Sequence, residues 1–416
     1  MLDYVRETAD EFDVTDRIRF GHRVLRAAWS SDDAVWRTTV VPPGGDERTL
    51  TSSFLYVCSG YYDYDEPYDA HLSGLADFAG DVLHPQHWPD GYDVGGRRVV
   101  VVGSGATAVS MVPELTRTAR SVVMLQRTPS FVLSLPRVDP TSDALRALLP
   151  PQAAHRANRT KNALVAFGIY QACRRAPGLA RRALTGLAGR ALPPGADAGT
   201  LFDPPYEPWD QRLCMVPDND LFEAVGAGAE IVTDTIDTFT RTGIRLTSGR
   251  VLEADAIVTA TGLAVKPAGG IAVEVDGAPV DIGETWFFRG VLVSGLPNFG
   301  LCVGYTNSTW TLRAELSTRF VCRLLKHLDR HGLTVAVPDA PPEGEPPLPL
   351  LDLTSGYLAR SAHLLPRRAA SAPWNLTQNY LRDSFDAVAV PVGRGLTFAR
   401  TPVRPRGAGQ RETVGA

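Results

Sequence analysis

The chain has 416 residues, 44% of them hydrophobic, enough to bury a large core spread over two or three domains. A formal net charge of -4 offers no basic face for a nucleic acid, and five scattered cysteines (Cys58, Cys173, Cys214, Cys302, Cys322) contain no Cys-x-x-Cys pair for zinc or a redox dithiol. The start Met-Leu-Asp-Tyr-Val-Arg-Glu lacks the basic and apolar runs of a secretory signal, and no apolar segment reaches membrane-span length, so a cytoplasmic protein acting on small molecules is expected.

In chain order, Leu2, Val5, Ala9 and Phe12 stand at helical spacing, after which 18–29 and 35–41 read as strands of a meander. Phe54-Leu-Tyr-Val-Cys-Ser-Gly60 reads as a short buried strand ending at a glycine, followed by an aromatic, acidic loop to Tyr68. From Arg98 the pattern is strand (98–102), glycine turn, helix (107–116) and strand (121–126), one βαβ unit of a doubly wound fold. Residues 143–192 are rich in Ala, Leu and Arg and broken by prolines, which predicts a helical insertion. From Ala144 to Ala196 there are nine Arg and Lys residues and no acid. That bias reads as a solvated basic face, with weak peripheral contact to an anionic membrane as the alternative.

Further on, 221–225 reads as a helix, and 230–239, 243–246 and 256–260 as strands. A hydrophobic segment (290–303), the polar turn Gly304-Tyr-Thr-Asn-Ser-Thr-Trp310, an amphipathic helix (312–328) and a proline-rich connector (337–349) follow. Residues 402–416 are polar and Gly/Arg-rich and read as a disordered tail.

The turn Gly103-Ser104-Gly105-Ala106-Thr107-Ala108 carries the first chemical argument. Gly103 permits the tight turn, Gly105 lets backbone approach a pyrophosphate, and Ala108 keeps the helix close to the strand. At the end of the next strand, where an NAD site places an acid on the ribose, the chain has Gln126-Arg127-Thr128. Arg127 can pair with a 2′-phosphate and Thr128 can add a hydroxyl, so NADPH is expected over NADH. The competing readings are a structural turn and an ordinary surface arginine.

The stretch Phe78-Ala-Gly80-Asp-Val-Leu-His84-Pro-Gln-His-Trp88-Pro89 resembles the fingerprint of Baeyer–Villiger monooxygenases. Tyr206-Glu-Pro-Trp209-Asp-Gln-Arg212, Ala260-Thr-Gly262, Leu296-Pro-Asn298, the Gly304–Arg313 turn and Ser371–Asp383 extend the likeness to the ethionamide-activating branch of the class B flavin monooxygenases, from residue 1 to about 400. The resemblance implies an α/β flavoprotein fold with two dinucleotide-binding domains. Residues 1–88 would be the remainder of an FAD domain plus linker, and 89–262 an NADPH domain with its helical insertion at about 141–195. Residues 263–400 would be the C-terminal part of the FAD/substrate domain, and 401–416 a tail.

It also implies that NADPH reduces FAD and that O2 forms a C4a-peroxyflavin, which inserts oxygen into a ketone or transfers it to sulfur or nitrogen, as in thioethers. Arg212 matches the arginine that stabilises the peroxide, its bland alternative being a salt bridge to Asp210 or Asp218. Phe78, Gly80, His84 and Trp88 match the linker that couples NADPH binding to closure, and His84 is expected to be a hydrogen-bonded hinge residue instead of a base. Asn298, Asn307 and Trp310 match positions near flavin or substrate, with packing or loop capping as alternatives. His87 receives no role, and the oligomeric state is not fixed.

The departure from that pattern lies at the flavin. No second G-x-G-x-x-G turn between strand and helix occurs, so the likeness starts inside the FAD domain. Roughly eighty residues of such a domain, with its central strand, are expected to be lacking, leaving an apolar sheet edge and helix faces uncovered. A non-catalytic NADP-binding remnant is therefore the alternative to an enzyme.

Overall fold

The computed structural model describes residues 2–400; the expected tail lies outside them. Its centre is a five-stranded parallel sheet in the order Glu230–Thr233, Ser121–Gln126, Arg98–Val102, Ala256–Thr259, Asp81–Leu83. Val99, Val100 and Val101 are fully buried, as the middle strand of a parallel sheet covered on both faces requires. The Ala106–Thr116 helix packs one face with Ala108, Val109, Val112 and Leu115, and Phe78, Ile244 and Leu252 cover the other. Asp81–Leu83 pairs in parallel with Ala256–Val258, so part of the expected linker is the edge strand of this sheet.

The helical insertion is present as Pro140–Leu148, Pro151–Arg175 and Pro177–Ala191. Each interrupting proline opens a helix, where its missing N–H leaves nothing unsatisfied. Five of the nine basic residues are ion-paired: Arg146 with Asp143, Arg159 with Glu315, Lys161 with Asp139, Arg174 with Asp210 and Arg181 with Asp203. Much of the basic bias thus ties the insertion to acids outside the acid-free stretch. Among the described residues no helix is long and apolar enough to cross a membrane.

The second body joins the Arg23–Ser30, Val35–Val41 and Arg48–Ser52 meander, which pairs with Ala272–Val275, to a sheet in the order Phe287–Phe288, Leu292–Val293, Phe299–Leu301, Leu55–Val57. Three readings shift. The 230–239 run breaks at Asp234, whose N–H bonds Gln126 O (3.0 Å), and continues in another sheet as Ile236–Thr240. The 290–303 segment splits at Asn298, whose φ of +48° turns the chain. The proline connector begins as a strand, Val335–Pro338, paired with Leu396–Ala399.

Leu55–Val57 ends its sheet with a single neighbour, and the Leu2–Glu11 helix buries no residue, with Leu2, Val5 and Phe12 exposed.

Candidate active site

A cavity of about 600 Å³ opens at the C-terminal ends of the parallel strands. Gly103 to Thr107 form one wall. Gly103 has a φ of +144°, and a Cβ there would lie 2.3 Å from Ala260 O, so the strands meet at a point only glycine allows. Gly105 has ordinary dihedrals, and a Cβ on it would meet nothing within 4 Å: it faces open space. No side chain caps the helix that starts at Ala106, which leaves its first N–H groups and positive end for an anion. Ser130 Oγ donates to Ser104 Oγ (3.2 Å) and joins the turn to the opposite wall.

That wall carries Arg127 and Thr128. Arg127 is exposed and has no ion pair among the described residues. Gln126 is buried and structural: its Nε2 donates to Leu201 O and Thr233 Oγ1, both at 2.9 Å. The sequence reading missed Asp234, which the neighbouring strand brings to the same wall. Ser248 and the Thr235 N–H hold its carboxyl below the usual range, and its Oδ1 and Oδ2 accept from Thr235 N (2.7 Å) and Ser248 N (3.4 Å).

Arg212 lines the same cavity from the segment between the insertion and the nucleotide sheet. Buried Trp209, stacked edge-on against Tyr170 at 5.5 Å, and buried Leu213 anchor that segment on either side of it. Both acids that could have neutralised Arg212 are taken: Asp210 pairs with Arg174 (2.8 Å) and Asp218 with Arg137 (3.7 Å). Opposite stand Tyr62 and Tyr357, whose hydroxyls lie 3.4 Å apart, and Arg360 over the Tyr68 ring. Burial and Tyr62 push the Tyr357 hydroxyl up, with Arg212 pulling the other way, so Tyr357 stays neutral beside a cation. Thr261 Oγ1, also in this lining, is buried and without a partner among the described residues.

The expected linker residues are held by packing and hydrogen bonds. Phe78 is buried against the sheet, and a Cβ on Gly80 would strike Asp255 O and the Phe78 ring at 2.5 Å each. His84 Nδ1 accepts from Gln86 N (3.2 Å) and caps the short helix Pro85–His87. Burial, then neighbouring His87, lowers the His84 pKa. His84 Nε2 and Gln86 Oε1 are buried without partners among the described residues, and both side chains line a 260 Å³ cavity that shares Thr107 with the main groove. Trp88 stacks edge-on with Tyr92 at 5.7 Å.

Asn298, Asn307 and Trp310 are outside the groove lining and are held by other parts of the chain. Asn298 donates to Ser53 O (2.7 Å) and Thr334 O (2.8 Å) and accepts from Ala336 N (2.8 Å), which occupies its amide with backbone. Asn307 Nδ2 donates to Gln378 O (2.8 Å). Trp310 opens a helix and stacks on Tyr61 at 5.4 Å. The sequence reading also missed the buried pair Arg313–Asp383 (2.6 Å), where Tyr305 donates to the same carboxylate (2.6 Å).

A second dinucleotide does not fit as the first does. The strand Phe299–Leu301 also leads through a glycine turn to a helix, Trp310–His331. There, however, the Cβ position of Gly304 is filled by the Trp310 ring at 2.3 Å, so the turn is closed by its own tryptophan. Of these two strand–glycine–helix turns, the open one belongs to the nucleotide sheet.

The family model "Flavin-binding monooxygenase-like" matches residues 1–141. The FAD-containing monooxygenase EthA of Mycobacterium tuberculosis is 45% identical over 385 residues, 92% of this chain and 78% of that protein. EthA of Mycolicibacterium smegmatis is 44% identical over 382 residues, covering 91% and 77%. Among solved structures, OTEMO in complex with FAD and NADP superposes with a TM-score of 0.68 at 18% identity, over 96% of this chain and 84% of that one. Oxidized steroid monooxygenase bound to NADP gives 0.67 at 20%, with the same coverage.

Proposed function

The chain belongs to the family of FAD-containing monooxygenases that includes EthA, and on that premise we propose that it takes NADPH in the groove at Gly103–Ala108 and serves an FAD-dependent monooxygenation. The reaction places one atom of O2 into a ketone, giving an ester or lactone, or onto a sulfur or nitrogen atom. The observation that carries this reading is the meeting, in one cavity, of an open glycine cradle, Arg127 and Thr128, and an Arg212 with no carboxylate partner among the described residues.

The pyrophosphate fits over the uncapped start of the Ala106 helix. Arg127 and Thr128 suit a 2′-phosphate by a forked, charge-assisted contact. The guanidinium of Arg212, in the groove lining, suits stabilisation of negative charge developing on a reacting oxygen. FAD supplies the oxygen-activating chemistry in this family, and the turn at Gly304 is closed to it by Trp310.

That closed turn favours one second reading, a non-catalytic NADP-binding form of the same fold. The purified chain distinguishes the two. Flavin absorbance that co-purifies, together with NADPH-dependent ester or sulfoxide formation, supports the enzyme; colourless protein that binds NADPH without turnover supports the second reading. NADPH should bind more tightly than NADH, and Arg127→Ala should weaken NADPH alone by about 10- to 100-fold, the loss of one charged hydrogen-bonding contact. Equal affinity for both nucleotides would overturn the 2′-phosphate assignment.

A further inference from the structure

In the second body, Leu55–Val57 and Phe299–Leu301 run parallel, with Val57 opposite Leu301. The ladder continues one residue past both strands, because Cys302 N–H donates to Val57 O at 2.9 Å. In a parallel pair that bond puts Cys302 directly beside Cys58, both side chains on one face of the sheet. Neighbouring strands lie about 4.8 Å apart, inside the roughly 4.4–6.8 Å Cα separation that a disulfide spans. Cys58 is exposed and Cys302 is buried next to it. The position also matters mechanically. Immediately after Cys58 the chain leaves for the nucleotide domain through Ser59-Gly60, and just after Cys302 it turns at Gly304 into the Trp310–His331 helix.

We propose that Cys58 and Cys302 form a redox-active dithiol which a hydroperoxide such as hydrogen peroxide converts to a reversible disulfide, stapling together the two strand ends that lead out of this sheet. In the first half-reaction the thiolate of one cysteine attacks the O–O bond, forming a sulfenic acid, and the leaving hydroxide takes up a proton as water. In the second the partner thiol displaces hydroxide from that sulfur, forming S–S and a second water. Two thiols lose two electrons, and one peroxide is reduced to two waters. The electrostatics suit the first half. Contact with Cys58, against the opposing effect of burial and with help from the Arg313 charge, lowers the Cys302 pKa below the ordinary thiol value, while the same contact raises that of Cys58. Of the two, Cys302 is the better placed to ionise and attack.

The test uses the full chain, fully reduced and then treated with one equivalent of hydrogen peroxide. The denatured protein should titrate three thiols in place of five, regain five with dithiothreitol, and yield a linked peptide pair carrying Cys58 and Cys302. Because that mapping is made on the unaltered chain, it does not depend on any variant folding. Cys322→Ser removes an exposed helix cysteine and should leave the two-thiol loss unchanged, whereas Cys58→Ser and Cys302→Ser should each abolish the linked peptide. A count that stays at five, a link through Cys322, or a disulfide between chains overturns the proposal.

Discussion

Arg174 holds Asp210 at 2.8 Å, and so removes from Arg212 the carboxylate two residues before it. The pair is half exposed and contributes only about 0.2–1 kcal/mol to stability; its effect lies in leaving Arg212 uncompensated in the groove. Arg212→Ala is expected to leave the melting temperature and NADPH affinity nearly unchanged while lowering product formation by about 100- to 1000-fold, the scale for losing one group that stabilises a developing oxyanion. Arg174→Ala frees Asp210 and should lower turnover through Arg212. Steady-state kinetics beside nucleotide titrations check both, and full turnover in Arg212→Ala would sink the assignment.

The two glycines of the turn should separate folding from binding. Gly103→Ala forces an L side chain to a φ of +144° with its Cβ 2.3 Å from Ala260 O. The conformation alone costs about 1–3 kcal/mol, and the melting temperature should fall. Gly105→Ala meets no atom within 4 Å and keeps ordinary dihedrals, so stability should hold or rise slightly. Its methyl group projects into the cradle, and NADPH affinity should drop by about tenfold, or roughly 1.4 kcal/mol. Calorimetric melting and nucleotide titration on both variants decide it; unchanged NADPH binding by Gly105→Ala would place the pyrophosphate elsewhere.

Arg313 and Asp383 form an ion pair with side chains only 7% and 10% exposed. Tyr305 and Thr377 also donate to that carboxylate, so the cluster fastens the Trp310–His331 helix to the Tyr380–Ala389 helix. Asp383→Ala strands a buried guanidinium and should cost about 3–5 kcal/mol, measured as a shift in the denaturant midpoint. A change below about 1 kcal/mol would show that water reaches the pair.

His84 gives a pH dependence with a definite sign. Burial, then His87, holds its folded pKa below the ordinary value of 6.5. Between the two values the unfolded chain binds more protons than the folded one, so stability rises with pH and is lost as pH falls through about 6.5. His84→Gln keeps a polar side chain without this titration. The stability of the unaltered protein relative to that variant should therefore fall below pH 6.5 and level off above about pH 7.5. Parallel denaturation curves at every pH would show that His84 titrates as in the unfolded chain.

Sequence alone determined the elements whose residues state their own physics. The valine run before Gly103, the two glycines and the following helix were legible because backbone approach, tight turning and a buried parallel strand each demand particular residue types in order. The insertion was legible for a similar reason, its prolines marking helix starts.

Only the tertiary structure decided what depends on which distant segments meet. It put Asp81–Leu83 on the nucleotide sheet, because edge pairing with Ala256–Val258 leaves no local pattern in three residues. It gave Arg212 its freedom by assigning Asp210 and Asp218 to other arginines, and it brought Asp234 and Thr261 into the groove. It occupied Asn298 with three backbone bonds, and it set Cys58 beside Cys302 across 244 positions of sequence. A side chain's chemistry is written in its residue type; whether that chemistry is neutralised, buried or left open is settled by neighbours the chain supplies from far away.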